Sequence, residues 1–146
     1  MAGLEKCWLG DATELQAASL IAAQGFLVAS PWGHAHSYDF ITDADGVLKR
    51  VQVRHANYRP KRDRYEVDLR SPHPRQGSRV VRAGDYDVLA AMADASLYLI
   101  PAWLLVDRSM VCLRPPGCRP SGVTGYTRAF DPEVFREAWT VLKERG

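Results

Sequence analysis

The chain has 146 residues, is 47% hydrophobic and carries a net charge of +2. That length is enough to bury the core of one domain without disulfides or metals as staples. The three cysteines, Cys7, Cys112 and Cys118, are odd in number and lack a CxxC spacing, which argues against both a disulfide framework and a zinc ribbon. No apolar run approaches the roughly 20 residues of a membrane span. The opening MAGLEKCWLGD has neither the basic region nor the long apolar stretch of a secretory leader, so the expected location is the cytoplasm.

In chain order, Asp11 is a suitable N-cap for TELQAASLIAAQ, a run of helix formers stopped by Gly25. Leu15, Ala18 and Ala22, flanked by Ile21, are the expected apolar stripe of that helix. Phe26 to Ser30 is a short strand closed by Pro31-Trp32-Gly33, and a hairpin of roughly residues 37 to 56 follows. NYRPKRD is expected to be a polar linker, and Tyr65 to Arg70 alternates as a half-wet strand. SPHPRQGSR is expected to be a mobile basic loop. Asp87 to Ala93 fits helix or strand by pattern and is assigned as a strand paired through Asp94-Ala95-Ser96 with Leu97 to Pro101. Trp103-Leu104-Leu105 is a turn, Met110 to Leu113 a strand, and Pro115 to Gly125 a loop. Asp131-Pro132 supplies an N-cap and a first-turn proline for a closing helix from Glu133 to Glu144. With no internal repeat, this order implies a single domain, residues 1 to 146, built as an α/β or α+β sandwich around a mixed sheet.

The hairpin YDFITDADGVLKRVQVR is the most specific feature. A type I′ turn needs positive φ at both central residues, which Asp45-Gly46 tolerates best. With those two residues as the loop, Ala44 faces Val47 and the register runs back to set Asp39 opposite Gln52, with Arg54 diagonal. Alternation then sends Tyr38, Phe40, Val47, Val51 and Val53 to one face and Asp39, Asp43, Arg50, Gln52 and Arg54 to the other. A loop one residue longer or shorter would break this opposition.

Charge is unevenly distributed. From Lys49 to Arg82 there are eleven Lys or Arg against three acids, so that segment carries +8 and the rest of the chain −6. Such a split suits a phosphate-binding surface, because each neutralised phosphate releases condensed counterions. Arg50, Arg59, Lys61, Arg62, Arg64, Arg75 and Arg79 are the candidate DNA contacts. An arginine-rich solvated face, or binding to RNA or to a partner protein, is the competing reading.

GDATELQAASLIAAQGFLVASPWGHAHSYDF, then VLKRVQVR, YEVDLRS and YDVLAAMADASLYLIP, together resemble the PD-(D/E)xK nuclease superfamily over roughly residues 8 to 114. Within it the likeness is to homing endonucleases of group I introns and to archaeal Holliday junction resolvases. The resemblance implies a restriction-endonuclease-like core, a central mixed β-sheet flanked by helices, acting on DNA as a dimer or tetramer. It implies a helix glutamate at Glu14, an aspartate at Asp39 and a third ligand at Gln52, with Arg54 where relatives usually carry lysine. Phosphodiester hydrolysis suits Mg²⁺ or Mn²⁺ held by one or two carboxylates plus waters and phosphate oxygens. Glu14 and Asp39 would be the metal ligands and Gln52 would add only a neutral carbonyl. Arg54, with a pKa above about 12, can stabilise charge but cannot act as a base. These departures leave an alternative, a catalytically inactive DNA-binding or scaffolding module on the same fold.

Each residue also has a structural explanation. Glu14 lies three residues after Asp11, as a capping box requires. Asp39 and Gln52 fit the wet face of any amphipathic hairpin. His34, His36 and His55 match no zinc spacing.

Overall fold

The computed structural model describes residues 2–33, 35–73, 75, 77–119 and 130–146. Helix α1 runs Ala2–Ala23. Among the described residues ten strands follow, β1 Leu27–Ala29, β2 Phe40–Ala44, β3 Val47–His55, β4 Asn57–Arg59, β5 Arg64–Asp68, β6 Ser71–His73, β7 Gly77–Arg79, β8 Val88–Ala93, β9 Ser96–Pro101 and β10 Met110–Leu113. They form a five-stranded sheet in the order β1-β2-β3-β8-β9, a three-stranded sheet β10-β5-β4, and the pair β6-β7. Only β3 and β8 run parallel within the large sheet, so it is mixed as expected.

The hairpin forms as its turn residues dictate. Asp45 and Gly46 take φ of 51° and 86°, Ala44 faces Val47, and Asp43 Oδ1 accepts the Gly46 N–H at 2.7 Å. Val51 and Val53 point to the α1 side of the sheet, where they meet Ala17, Ile21 and Phe40. The opposite face carries Leu89, Ala91, Tyr98 and Ile100 against Val67, Leu69 and Leu113 of the smaller sheet and its surroundings. All six residues of β8 are therefore buried. A strand covered on both faces has no wet side, which explains why its sequence shows no alternation.

Several expectations are corrected. Helix α1 starts at Ala2, nine residues before Asp11, so Asp11 is interior and cannot be an N-cap. The inward stripe is Thr13, Ala17 and Ile21, and Leu15 is exposed on the outer side. Tyr38 precedes β2 and packs with the opposite cluster from Phe40, because strand alternation does not extend back through the bend before Phe40. NYRPKRD contains strand β4 and a 3-10 turn at Pro60–Arg62. SPHPRQGSR contributes the paired strands β6 and β7.

The closing helix is replaced by two 3-10 turns, Pro132–Phe135 and Trp139–Leu142. Asp131 does cap, accepting the Glu133 N–H at 3.1 Å. Between the turns Arg136 bridges to Tyr98, and the Glu137 N–H donates to the Leu97 carbonyl at 2.8 Å. Pairing with the β9 edge consumes the backbone groups a continuous helix would need. Of the helices expected to flank the sheet, only α1 is an α-helix among the described residues. Part of the expected Pro115 to Gly125 loop lies outside those residues.

Candidate active site

The site begins where β2 gives way to the preceding bend. The β2–β3 ladder ends at Phe40 opposite Val51, and Asp39 is the next residue out. Its N–H donates to the Val51 carbonyl at 2.8 Å, and its Oδ2 accepts the Val53 N–H at 2.7 Å. The Asp39 side chain thus satisfies a β3 backbone donor that β2 no longer reaches. Gln52 and Arg54 follow on β3, in register with Leu89 and Ala91 of β8. Gln52 Nε2 donates to the Val53 carbonyl at 3.3 Å, and among the described residues no donor reaches its Oε1. Arg54 has a long contact, 3.5 Å, to Ser71 Oγ and no ion pair among the described residues.

Glu14 arrives from α1, one residue past Thr13 in the inward stripe and half-buried. Because α1 continues through this region, the capping-box explanation for Glu14 does not apply. Burial pushes the Glu14 carboxyl above its usual range, and the negative charges of Asp39 and then Asp11 push it further. Burial likewise raises Asp39, opposed by its hydrogen bond from Val53 and by the Arg54 charge. The two carboxyls therefore sense one another although 25 positions separate Glu14 from Asp39 in the chain.

Among the described residues no group of three or more His, Cys, Asp or Glu side chains is placed to hold a metal. The acidic groups that sense one another here are two, Glu14 and Asp39. Two partly buried carboxyls that repel each other fit a hard cation that keeps most of its waters, and they do not fit a soft or four-ligand ion. Glu14 and Asp39 are the residues that would hold such an ion. His36 is engaged otherwise, with Nε2 2.7 Å from the Trp32 carbonyl, and His34 lies outside the described residues.

Sequence reasoning missed how acids inside and just outside the basic segment pair with its arginines. Arg50 is clasped by Asp87, with Nη2 at 3.0 Å and the backbone N–H at 2.8 Å from that carboxylate. Arg79 pairs with Asp85 at 2.8 Å. Arg59, Arg62 and Arg64 converge on Glu66, leaving that cluster with an excess of positive charge. Lys61 has no acidic partner among the described residues. The pairing of Arg50 with Asp87 joins β3 to the start of β8 across 37 positions, so no local signal could have announced it. Tyr86 was also missed. It is buried close enough to Arg54 to feel its charge, and burial pushes its hydroxyl up to about 12.

No described helix is long and apolar enough to cross a membrane. A bacterial homing endonuclease of known structure is 25% identical to this chain and superposes with a TM-score of 0.73, covering 91% of this chain and 89% of its own. No curated protein sequence matches the chain. The sequence profile of the PD-(D/E)XK endonuclease family matches residues 5–115, a span that includes Glu14, Asp39, Gln52 and Arg54. That match covers most of the chain and agrees with the restriction-endonuclease-like sheet, so this protein belongs to the PD-(D/E)XK endonuclease family.

Proposed function

We propose that this protein is a Mg²⁺- or Mn²⁺-dependent DNA endonuclease of the homing or junction-resolving kind, working in the cytoplasm as a homo-oligomer. The observation that carries the reading is the mutual repulsion of the partly buried Glu14 and Asp39 carboxyls, with the Arg54 charge acting on Asp39. Bound there, a divalent ion supplies Lewis acidity toward a phosphate oxygen and a more acidic water. Glu14 and Asp39 hold and orient that centre, the Gln52 amide oxygen assists, and the Arg54 guanidinium meets the charge that accumulates on the phosphorus oxygens. The basic side chains of Arg50, Arg59, Lys61, Arg62, Arg64, Arg75 and Arg79 bring the DNA backbone to the site. Those already paired with Glu66, Asp85 or Asp87 contribute through the field of the whole segment, and Lys61 contributes most directly.

A second reading, a DNA-binding module without catalysis, is favoured by Gln52 and Arg54 standing where the resemblance implies the more usual acid and lysine. Cleavage of supercoiled, linear and four-way-junction DNA with Mg²⁺ or Mn²⁺, alongside salt-dependent binding to the same DNAs, separates the two. Nicks or breaks that depend on the ion and vanish with Glu14→Gln support the nuclease. Tight, salt-sensitive binding with no strand scission supports the module.

A further inference from the structure

Alternation along β3 puts Arg50 on the face that carries Gln52 and Arg54. Its Nε and Nη2 donate to the Asp87 carboxylate at 3.2 and 3.0 Å, and its Nη1 donates to the Gly84 carbonyl at 2.8 Å. The Arg50 backbone N–H donates to Asp87 Oδ2 at 2.8 Å, and the Asp87 N–H returns a bond to the Arg50 carbonyl at 2.9 Å. All three guanidinium nitrogens are thus engaged inside the chain. A fork in that state cannot also clasp a phosphate in bidentate fashion.

The face of the same guanidinium lies over the Tyr38 ring, 5.9 Å from its centroid. Tyr38 is the residue before Asp39, in the bend where the β2–β3 ladder has ended. His36 lies against the ring as well, at 5.4 Å between centroids, and the Ser37 hydroxyl donates to the Asp85 carbonyl. Residues 84 to 87 therefore grip the bend twice, at Ser37 directly and at Tyr38 through Arg50. The Arg50 and Asp87 side chains are 38% and 35% exposed, and an ion pair so wetted adds little to global stability.

We propose that Arg50 is a positioning residue. Clasped by Asp87 and Gly84, it fixes the Tyr38 ring and so holds the Asp39 carboxylate where the reading above has it meet the divalent ion. The catalytic consequence rests on that reading, whereas the hold on Asp39 does not. A carboxylate displaced by about 1 Å from its working place lowers turnover by as much as about 100-fold.

Arg50→Lys keeps the charge and loses the fork, Asp87→Asn loses the charge of the clasp, and Tyr38→Leu loses the ring while leaving the ion pair. Amide hydrogen exchange of the full chain, followed by NMR without metal, reads the hold directly. The Asp39 N–H, bonded to the Val51 carbonyl, and the Val53 N–H, bonded to Asp39 Oδ2, should exchange about 10-fold faster or more in each variant. Leu99, at the centre of the buried β9, is the reference and should keep its wild-type rate. With Mg²⁺ and saturating plasmid, kcat should fall by about 10-fold or more while KM stays near wild type. In DNA binding across a salt series, Arg50→Lys should leave the slope unchanged, and Asp87→Asn should not steepen it. A phosphate-contacting Arg50 gives the opposite pattern, in which lysine substitutes freely and Asp87→Asn releases the arginine to DNA, tightening binding and steepening the slope by about one. That pattern, or wild-type exchange at Asp39 and Val53 in all three variants, overturns the proposal. Faster exchange at those two amides in a protein that never cuts supports the hold on Asp39 and refutes only the catalytic reading.

Discussion

Substituting Asp39 in two ways should separate its electrostatic role from its structural one. Asp39→Asn removes the charge but retains a side-chain oxygen that can accept the Val53 N–H, now made at 2.7 Å. Asp39→Ala removes both. An unsatisfied, partly buried backbone donor costs about 1–3 kcal/mol. For a chain of this size about 2 kcal/mol corresponds to a fall in Tm of roughly 6 °C. The aspartate carboxyl is raised by burial, so its ionised form weakens the fold, and Asp39→Asn should melt at or above the wild-type temperature in metal-free buffer at neutral pH. Both variants should lose at least about 100-fold in strand scission with Mg²⁺ if Asp39 holds the ion. Differential scanning fluorimetry and plasmid nicking on the same preparations provide the comparison. Equal melting of Asn and Ala variants would refute the capping of β3, and full cleavage by Asp39→Asn would refute the metal-ligand role.

Three further outcomes follow from the same geometry. Glu14 and Asp39 both hold protons more tightly in the folded chain, so their contribution favours folding at low pH and is lost as pH rises through their folded values. Melting curves of wild type against Asp39→Asn should therefore diverge in favour of the variant on going from the ordinary carboxyl range to neutrality, and saturating Mg²⁺ should close or reverse the gap. Gln52→Glu with Arg54→Lys, which installs the more usual acid and lysine implied by the resemblance, should raise Mg²⁺-dependent cleavage, and a fall below wild type would show that the natural pair is itself the working one. Tyr98→Phe removes a hydroxyl that donates to Glu133 at 2.9 Å, and should cost roughly 1.5–3 kcal/mol in chemical denaturation while leaving cleavage unchanged.

Local chemistry made much of the fold legible. The Asp45-Gly46 turn set the register of β2 and β3, because only a two-residue loop with positive φ joins Ala44 to Val47. That register extended by alternation puts Asp39 opposite Gln52, but the ladder stops at Phe40 and Val51, and Asp39 meets β3 through the Val51 carbonyl and the Val53 N–H instead. Gly25, at φ 91°, ended α1 as expected, whereas the start of α1 was misread because Asp11 is as good an N-cap in sequence as it is a tolerated interior residue.

The tertiary structure decided what depended on distant partners. Glu14 and Asp39 share one electrostatic environment only because α1 packs across β3. The net charge of the basic segment became a set of ion pairs because Asp85 and Asp87, just outside it, and Glu66, within it, lie beside its arginines. The C-terminal segment has a helical pattern, yet its backbone bonds to Leu97 and pairs with Tyr98 on the β9 edge. Turn preference and alternation depend on neighbours along the chain and can be read from it. Carboxyl repulsion, ion pairing and edge pairing depend on separation in space, which packing alone sets.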